Sequence, residues 1–242
     1  MIHGRRAVAV IQARTGSTRL PGKVLMRLGQ RPMVEHVVRR ARRVAGVDEV
    51  VLAVPDLPED DELAETLSEL SPVVRGPAAD VLARFLGTAR RHKADVVVRI
   101  TADCPLLSPA VSSRVLAAFE PGCDYVSNTV TRTFPRGLDT EVFTREALEA
   151  AAFEAIDPVE REHVTLFIHR RPDRFVIRQV IDDVDRSSLR WTVDTPEDFE
   201  FAAAVYETLG DDFEMADVLQ LLDRRPDLAL LNRDVRQKPL GT

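Results

Sequence analysis

The residues best equipped for chemistry lie in three short stretches. The first is RTGSTRLPGK, Arg14–Lys23, which follows the apolar run AVAVIQ with one residue between. Gly16 and Gly22 let the backbone approach a ligand closely, and successive N–H groups in such a turn form an anion nest. Ser17 adds a hydroxyl, Arg14 and Arg19 add forked donors, and Lys23 adds a compact point charge. This combination suits a polyphosphate, although a solvated loop would carry the same charges. The spacing is not that of a Walker A loop. Five residues separate Gly16 from Gly22 where that motif has four, and Val24 follows the lysine instead of Ser or Thr. A G-x-G-x-x-G dinucleotide fingerprint is absent too.

The second stretch is RITADCPLL, where Asp103 falls just after an apolar run. A carboxylate there suits Mg²⁺, which keeps several waters and takes only one or two carboxylates; it would equally cap the next helix. The third is WTVDTPED, with Asp194 in the same position after a strand, either a ligand or a turn residue. Two strand-end aspartates and a basic loop together can build a metal–triphosphate site. His163 and His169 are six residues apart and share no helical face, which rules out a metal pair. Cys104 and Cys123 are too few and too far apart for a zinc or redox motif, and read as small buried residues.

The elements that must position these residues alternate. Strands are expected at AVAVIQ, EVVLAVP, PVVRG, ADVVVRI and CDYVSN. Helices are expected at PMVEHVVRRARRV (with Pro32 at its start), PEDDELAETLSEL, AADVLARFLGTARRH and SPAVSSRVLAAF. Near-continuous apolar strands alternating with helices imply a parallel sheet covered on both faces. Right-handed crossovers then give a doubly wound, Rossmann-like α/β fold whose ligands sit beyond the carboxyl ends of the strands. Loops 13–22, 76–80 and 101–107 share that rim.

The second half is less regular. RTFPRGLDTEVFT reads as a loop entering a strand, REALEAA and REHVTLFIHRRP as helices, and RFVIRQVI with LRWTV as an antiparallel pair. Thr195, Pro196, Glu197 and Asp198 make a strong helix start that runs to Gly210. The expectation is a single domain over 1–242, with a small inserted antiparallel lobe at about 129–190 and a frayed polar tail at 232–242.

The chain has 242 residues, 45% hydrophobic and 30% charged, with net charge −6. Length and composition suit a soluble α/β protein. No apolar run approaches the roughly 18 residues of a membrane span, and MIHGRR has no signal-peptide core, so a cytoplasmic location is expected. The acidic balance argues against a nucleic-acid partner. The basic run RRARR at Arg39–Arg43 reads as the solvated end of a helix.

The segments IQARTGSTRLPGKVL, RGPAADVLARF, VVRITADCPLL, RTFPRGLDTEVF, EREHVT and LRWTVDTPEDF occur in an order that resembles the cytidylyltransferase family of CMP-sugar synthetases, above all its spore-coat polysaccharide branch. The resemblance covers about residues 8–207. It implies CTP as substrate, with Arg14, Arg19 and Lys23 on its phosphates and Gly16, Ser17 and Thr101 in the same nucleotide site. Arg75, Gly76 and Asp80 would lie around the base and ribose, and Asp103 and Asp194 would be the Mg²⁺ ligands. Arg136, Asp139 and Glu141 would line an acceptor pocket, near Arg161, Glu162 and His163. A homodimer is also implied, with 129–190 as the acceptor-binding and dimerisation lobe.

The acceptor segment departs from the octulosonate and sialate enzymes, and Arg136 would also suit a phosphonate. Two other classes stay open. Asp182–Asp185 (DDVD) contains a D-x-D that a GT-A-type glycosyltransferase could use, although a solvated turn is the simpler reading. A non-catalytic nucleotide-binding protein on the same scaffold is the other.

Overall fold

A computed structural model describes residues 1–238. Its seven-stranded sheet is built from β1 (Ala7–Gln12), β4 (Glu49–Pro55), β5 (Val73–Gly76), β6 (Val96–Thr101), β7 (Tyr125–Ser127), β8 (Glu141–Thr144) and β9 (Ile177–Gln179), in the order β5-β4-β1-β6-β8-β7-β9. β2 (Arg27–Leu28) and β3 (Arg31–Pro32) form a separate antiparallel pair. β1 lies between β4 and β6, parallel to both, with Val10 opposite Val51 on one side and Arg99 on the other. β8 alone runs against its neighbours β6 and β7.

The two-residue period of the strands divides the core. Ala7, Ala9 and Ile11 of β1 join a cluster with α1 (Met33–Ala41), α4 (Pro109–Ala117), α8 (Pro196–Leu209) and α9 (Met215–Arg224). Val8 and Val10 face the other side, against α3 (Val81–Arg91) and α5 (Arg145–Glu154). Residues 7–11 are wholly buried. This is the physical content of a doubly wound sheet: an apolar strand with no polar face, because helices cover both sides. α2 (Asp61–Ser68) packs beside β5 at the edge.

The helix starts follow the sequence signals. The Ser108 hydroxyl accepts from the Val111 N–H, and Pro109 opens α4. Thr195 and Asp198 form a reciprocal capping box on α8, which ends at Gly210 with φ +72°. Pro32 stands one residue earlier than expected, at the cap of α1. Arg40, in the basic run, is buried and not solvated. It donates to the carbonyls of Leu107, Asp211 and Phe213 and lies 3.8 Å over the Phe213 ring.

Three expectations in the second half do not hold. REHVTLFIHRRP is split into α6 (Pro158–Glu162) and α7 (Leu166–His169), because Val164 takes a left-handed φ of +55° that no continuous helix allows. RFVIRQVI contributes only β9, which pairs parallel to β7, while LRWTV makes just one bridge, Arg190 to Arg136. The ladder fails because LRWTV spends its backbone groups on loops: Trp191 and Thr192 donate to Arg136 O, and Val193 donates to Asp103 O. The tail is not frayed at its beginning. Asn232 is buried and donates to Arg190 O and Asp198; residues 239–242 lie outside the described residues. Among the described residues no helix is long and apolar enough to cross a membrane.

Candidate active site

The basic loop leaves β1 at the carboxyl rim of the sheet. Asp60, 1% exposed, holds its first turn: its Oδ1 accepts the Thr15 N–H and the Thr15 hydroxyl, each at 2.8 Å. Gly22 then takes a left-handed φ of +66° before the 3₁₀ turn Lys23–Leu25, a conformation that glycine adopts without strain. Lys23 is thereby turned inward and is 8% exposed. Its Nζ donates to Asp194 Oδ1 and Val193 O, each at 2.7 Å, and to Asp103 Oδ2 at 3.2 Å.

Asp103 lies just beyond the end of β6, Asp194 lies in the loop before α8, and the two are tied together. Asp103 follows β6, and its carbonyl accepts the Val193 N–H at 2.8 Å and the Thr192 hydroxyl at 3.1 Å. Asp194 Oδ2 pairs with Arg19 at 3.1 Å and with Arg190 at 2.8 Å. Arg190 is itself gripped by the fully buried Asp198, whose carboxylate also accepts the N–H groups of Asp194 and Thr195. Burial works to lower the Lys23 proton affinity, but the charges of Asp103 and Asp194 outweigh it and hold the ammonium above its ordinary range. Burial likewise opposes ionisation of Asp194, yet Lys23, Arg19 and Arg190 keep its carboxyl below the ordinary range. Both groups are therefore charged at neutral pH.

The segments expected to hold an acceptor also reach the cleft. Gly137 has φ +109°, and a Cβ there would stand 2.5 Å from Thr192 N, so only glycine lets residues 136–138 cross 191–192 this closely. Arg136, Asp139, Glu162, His163 and Thr192 line the cleft. Arg132 holds Asp139 in a fork at 2.6 and 2.8 Å. Burial, and then Arg132, lower the Arg136 guanidinium; burial lowers the His163 imidazole, leaving it neutral at pH 7. Cys104 is buried against the cleft and its thiol is pushed well up by burial and the Asp103 charge, so it is inert. Cys123 is free and buried as well.

The cleft has a volume of about 410 Å³. Arg14, Gly16, Ser17, Arg19, Lys23, Thr101, Asp103 and Asp194 all border it with the acceptor-side residues. Four sequence candidates do not. Arg75 turns away to Pro55 O, Leu57 O and Asp61. Gly76 packs against the stem of Arg84. Asp80 caps α3 through the Ala83 N–H and pairs with Arg161 at 2.6 Å. Glu141 is buried one layer below, accepting from Tyr125, Thr165 and Arg99. The cleft is bordered instead by residues that carried no sequence signal of their own: Gln12, Arg84 and Arg99. In DDVD, Asp182 pairs with Arg186 and Asp185 accepts the Ser187 N–H, as a surface turn does.

A cation already bridges the two carboxylates, in the form of the Lys23 ammonium. No group of three or more His, Cys, Asp or Glu is poised for a metal among the described residues. Two carboxylates beside a basic, glycine-containing loop fit Mg²⁺, which takes only one or two carboxylates and keeps several waters, and do not fit a zinc cage.

A mostly parallel sheet with a basic loop and two aspartates at its carboxyl rim defines a nucleotidyltransferase class of site. The cytidylyltransferase family model matches residues 8–220, and the chain belongs to that family. It is 35% identical to the uncharacterized protein MJ1063 of Methanocaldococcus jannaschii, over 96% of this chain and 97% of that protein. It is 34% identical to the spore coat polysaccharide biosynthesis protein SpsF of Bacillus subtilis, over 91% of this chain and 95% of SpsF. A 3-deoxy-manno-octulosonate cytidylyltransferase of Anaeromyxobacter is 35% identical over 49% of each chain. The solved cytidylyltransferase of Leptospira borgpetersenii superposes with a TM-score of 0.89 at 28% identity, over 97% of this chain and 100% of that one.

Proposed function

We propose that this protein transfers CMP from CTP to a sugar acid or related sugar destined for a surface polysaccharide, releasing pyrophosphate. The observation that carries this reading is the meeting of Lys23, Asp103 and Asp194 at the mouth of the basic loop. An acceptor oxygen attacks the α-phosphorus, a new P–O bond forms, and the bond from the α-phosphorus to the bridging oxygen breaks. Such a transfer is mostly positioning and charge stabilisation. Arg14, exposed on the cleft wall, and Arg19 hold the phosphates in line, and Lys23 offsets the negative charge that grows on the leaving group. Asp103 and Asp194 would hold Mg²⁺, which when bound neutralises phosphate charge and lowers the proton affinity of the acceptor oxygen. Arg136 presents a planar fork to an acidic acceptor, while Asp139, fixed by Arg132, accepts from its hydroxyls.

The reading goes with a cytoplasmic homodimer, with residues 129–190 providing acceptor and dimer contacts. Phe153 and Ile156, 90% and 93% exposed, are apolar side chains that a partner copy would cover. The test is a pyrophosphate-release screen with CTP, Mg²⁺ and a panel of sugar acids, neutral sugars and phosphonates. Release dependent on both CTP and one acceptor is expected. Release of a nucleoside diphosphate from a nucleotide sugar, or CTP binding without turnover on any acceptor, would sink the proposal.

A further inference from the structure

Arg84 is the fourth residue of α3 and is 3% exposed, yet it borders the cleft. Its Nη1 donates to Pro77 O at 2.6 Å. Its Nε is buried with no acceptor among the described residues. A buried donor left unpaired is costly, and native structures rarely keep one without a reason. The stem cannot swing to find a partner. Gly76 lies directly against it, where a Cβ would be 3.1 Å from Arg84 Cγ, and Pro77 O anchors the far nitrogen. The remaining edge of the guanidinium, Nε with Nη2, is a pair of parallel donors that meets no acceptor among the described residues.

We infer that Arg84 reads the cytosine ring, its Nε–Nη2 edge donating to O2 and N3 of the base. This rests on the CTP reading above. Two neighbouring acceptors in one plane are what such a fork requires. Cytosine offers them at O2 and N3, whereas uracil carries an N3–H that would point donor at donor. A phosphate would also satisfy the fork, but the surroundings disfavour it. Arg19 and Lys23 are already paired with the two aspartates, while Arg84 shares the cleft lining with Val81 and Ala13, apolar side chains that suit a flat ring. Burial and the charge of Arg14 lower the Arg84 proton affinity, and the carboxylates of Asp60, Asp56 and Asp80 act against them. Gly76 thereby acquires a role without touching the nucleotide, since it leaves room for the stem of Arg84.

The experiment compares CTP with UTP, which differ at N3 and at the 4-position of the ring, in equilibrium binding and in pyrophosphate release. Wild type is expected to prefer CTP strongly. Arg84→Lys keeps the charge and loses the fork; it should weaken CTP by on the order of tenfold or more and UTP by less than about threefold, with kcat little changed. Gly76→Ala leaves every charge in place and displaces the stem, so it should shift the CTP/UTP ratio in the same direction and decides the matter if Arg84→Lys does not fold. Equal losses for both nucleotides, or an unchanged ratio in both variants, would overturn the assignment. Binding selectivity that collapses in these variants, with no acceptor ever turned over, would uphold Arg84 as the base reader and defeat the transfer reading instead. Wild type that binds both nucleotides equally while releasing pyrophosphate would do the reverse.

Discussion

Replacing Lys23 by alanine tests the centre of the site. The ammonium makes three contacts, two of them to carboxylates, and is 8% exposed. A hydrogen bond to a charged group contributes roughly 1.5–3 kcal/mol, and each 1.36 kcal/mol is a factor of ten in rate, so kcat should fall about 10–100-fold. Folding stability should fall as well, though by less than the roughly 3–5 kcal/mol of a fully orphaned buried charge, because Arg19 and Arg190 still hold Asp194. A loss on the order of 1–2 kcal/mol would lower Tm by a few degrees at this chain length. The assay is pyrophosphate release under saturating CTP and acceptor, alongside thermal unfolding of the same sample. Turnover within threefold of wild type would refute the role of Lys23. So would a loss that vanishes once the rate is normalised to the folded fraction.

Asp60→Ala removes the acceptor that fixes the basic loop and should lower kcat/KM on the order of tenfold, mostly through KM for CTP, while Asp60→Asn should recover most of it because a carboxamide oxygen accepts the same two bonds; steady-state kinetics of the pair checks this. Gly137→Ala puts a methyl into the backbone of Trp191 and Thr192 at a φ of +109° and should destabilise the fold by about 2–3 kcal/mol, read by denaturant unfolding. Burial opposes the charge of Glu141, but Arg99, Thr165 and Tyr125 hold its carboxyl below the ordinary value of 4.5. Its contribution is therefore complete above pH 4.5 and is lost as pH falls through the depressed folded value. The stability gap between wild type and Glu141→Gln, roughly 3 kcal/mol at pH 7, should close in acid; a gap that is constant from pH 7 to pH 3 would contradict this.

The parallel half of the sheet was legible because its strands are apolar at every position and its helices carry their own start signals, as at Ser108 and Thr195. The meeting of Lys23 with Asp103 and Asp194 was legible in part: the basic loop follows β1 and Asp103 follows β6, whereas Asp194 sits in a loop that only has the composition of a strand end. Other features were invisible for identifiable reasons. A left-handed Val164 has no sequence signature, so α6 and α7 read as one helix. LRWTV has the composition of a strand, but its N–H groups are claimed by Arg136 O and Asp103 O. Glu141 and Arg99 sit opposite each other in the β6–β8 register, and that antiparallel placement buries the carboxylate away from the cleft. Arg84 looked like one more arginine among thirty on an amphipathic helix. Only Gly76, eight residues earlier and across a turn, explains why it points inward.

Arg190 reaches further than its ion pairs with Asp194 and Asp198. Its Nη1 also donates to Gln237, and Gln237 and Lys238 border the cleft. The stretch at Gln237 and Lys238 thus shares an anchor with the candidate site, so a change at Gln237 reaches Asp194 through Arg190. Gln237→Ala should therefore slow pyrophosphate release while leaving thermal unfolding nearly unchanged.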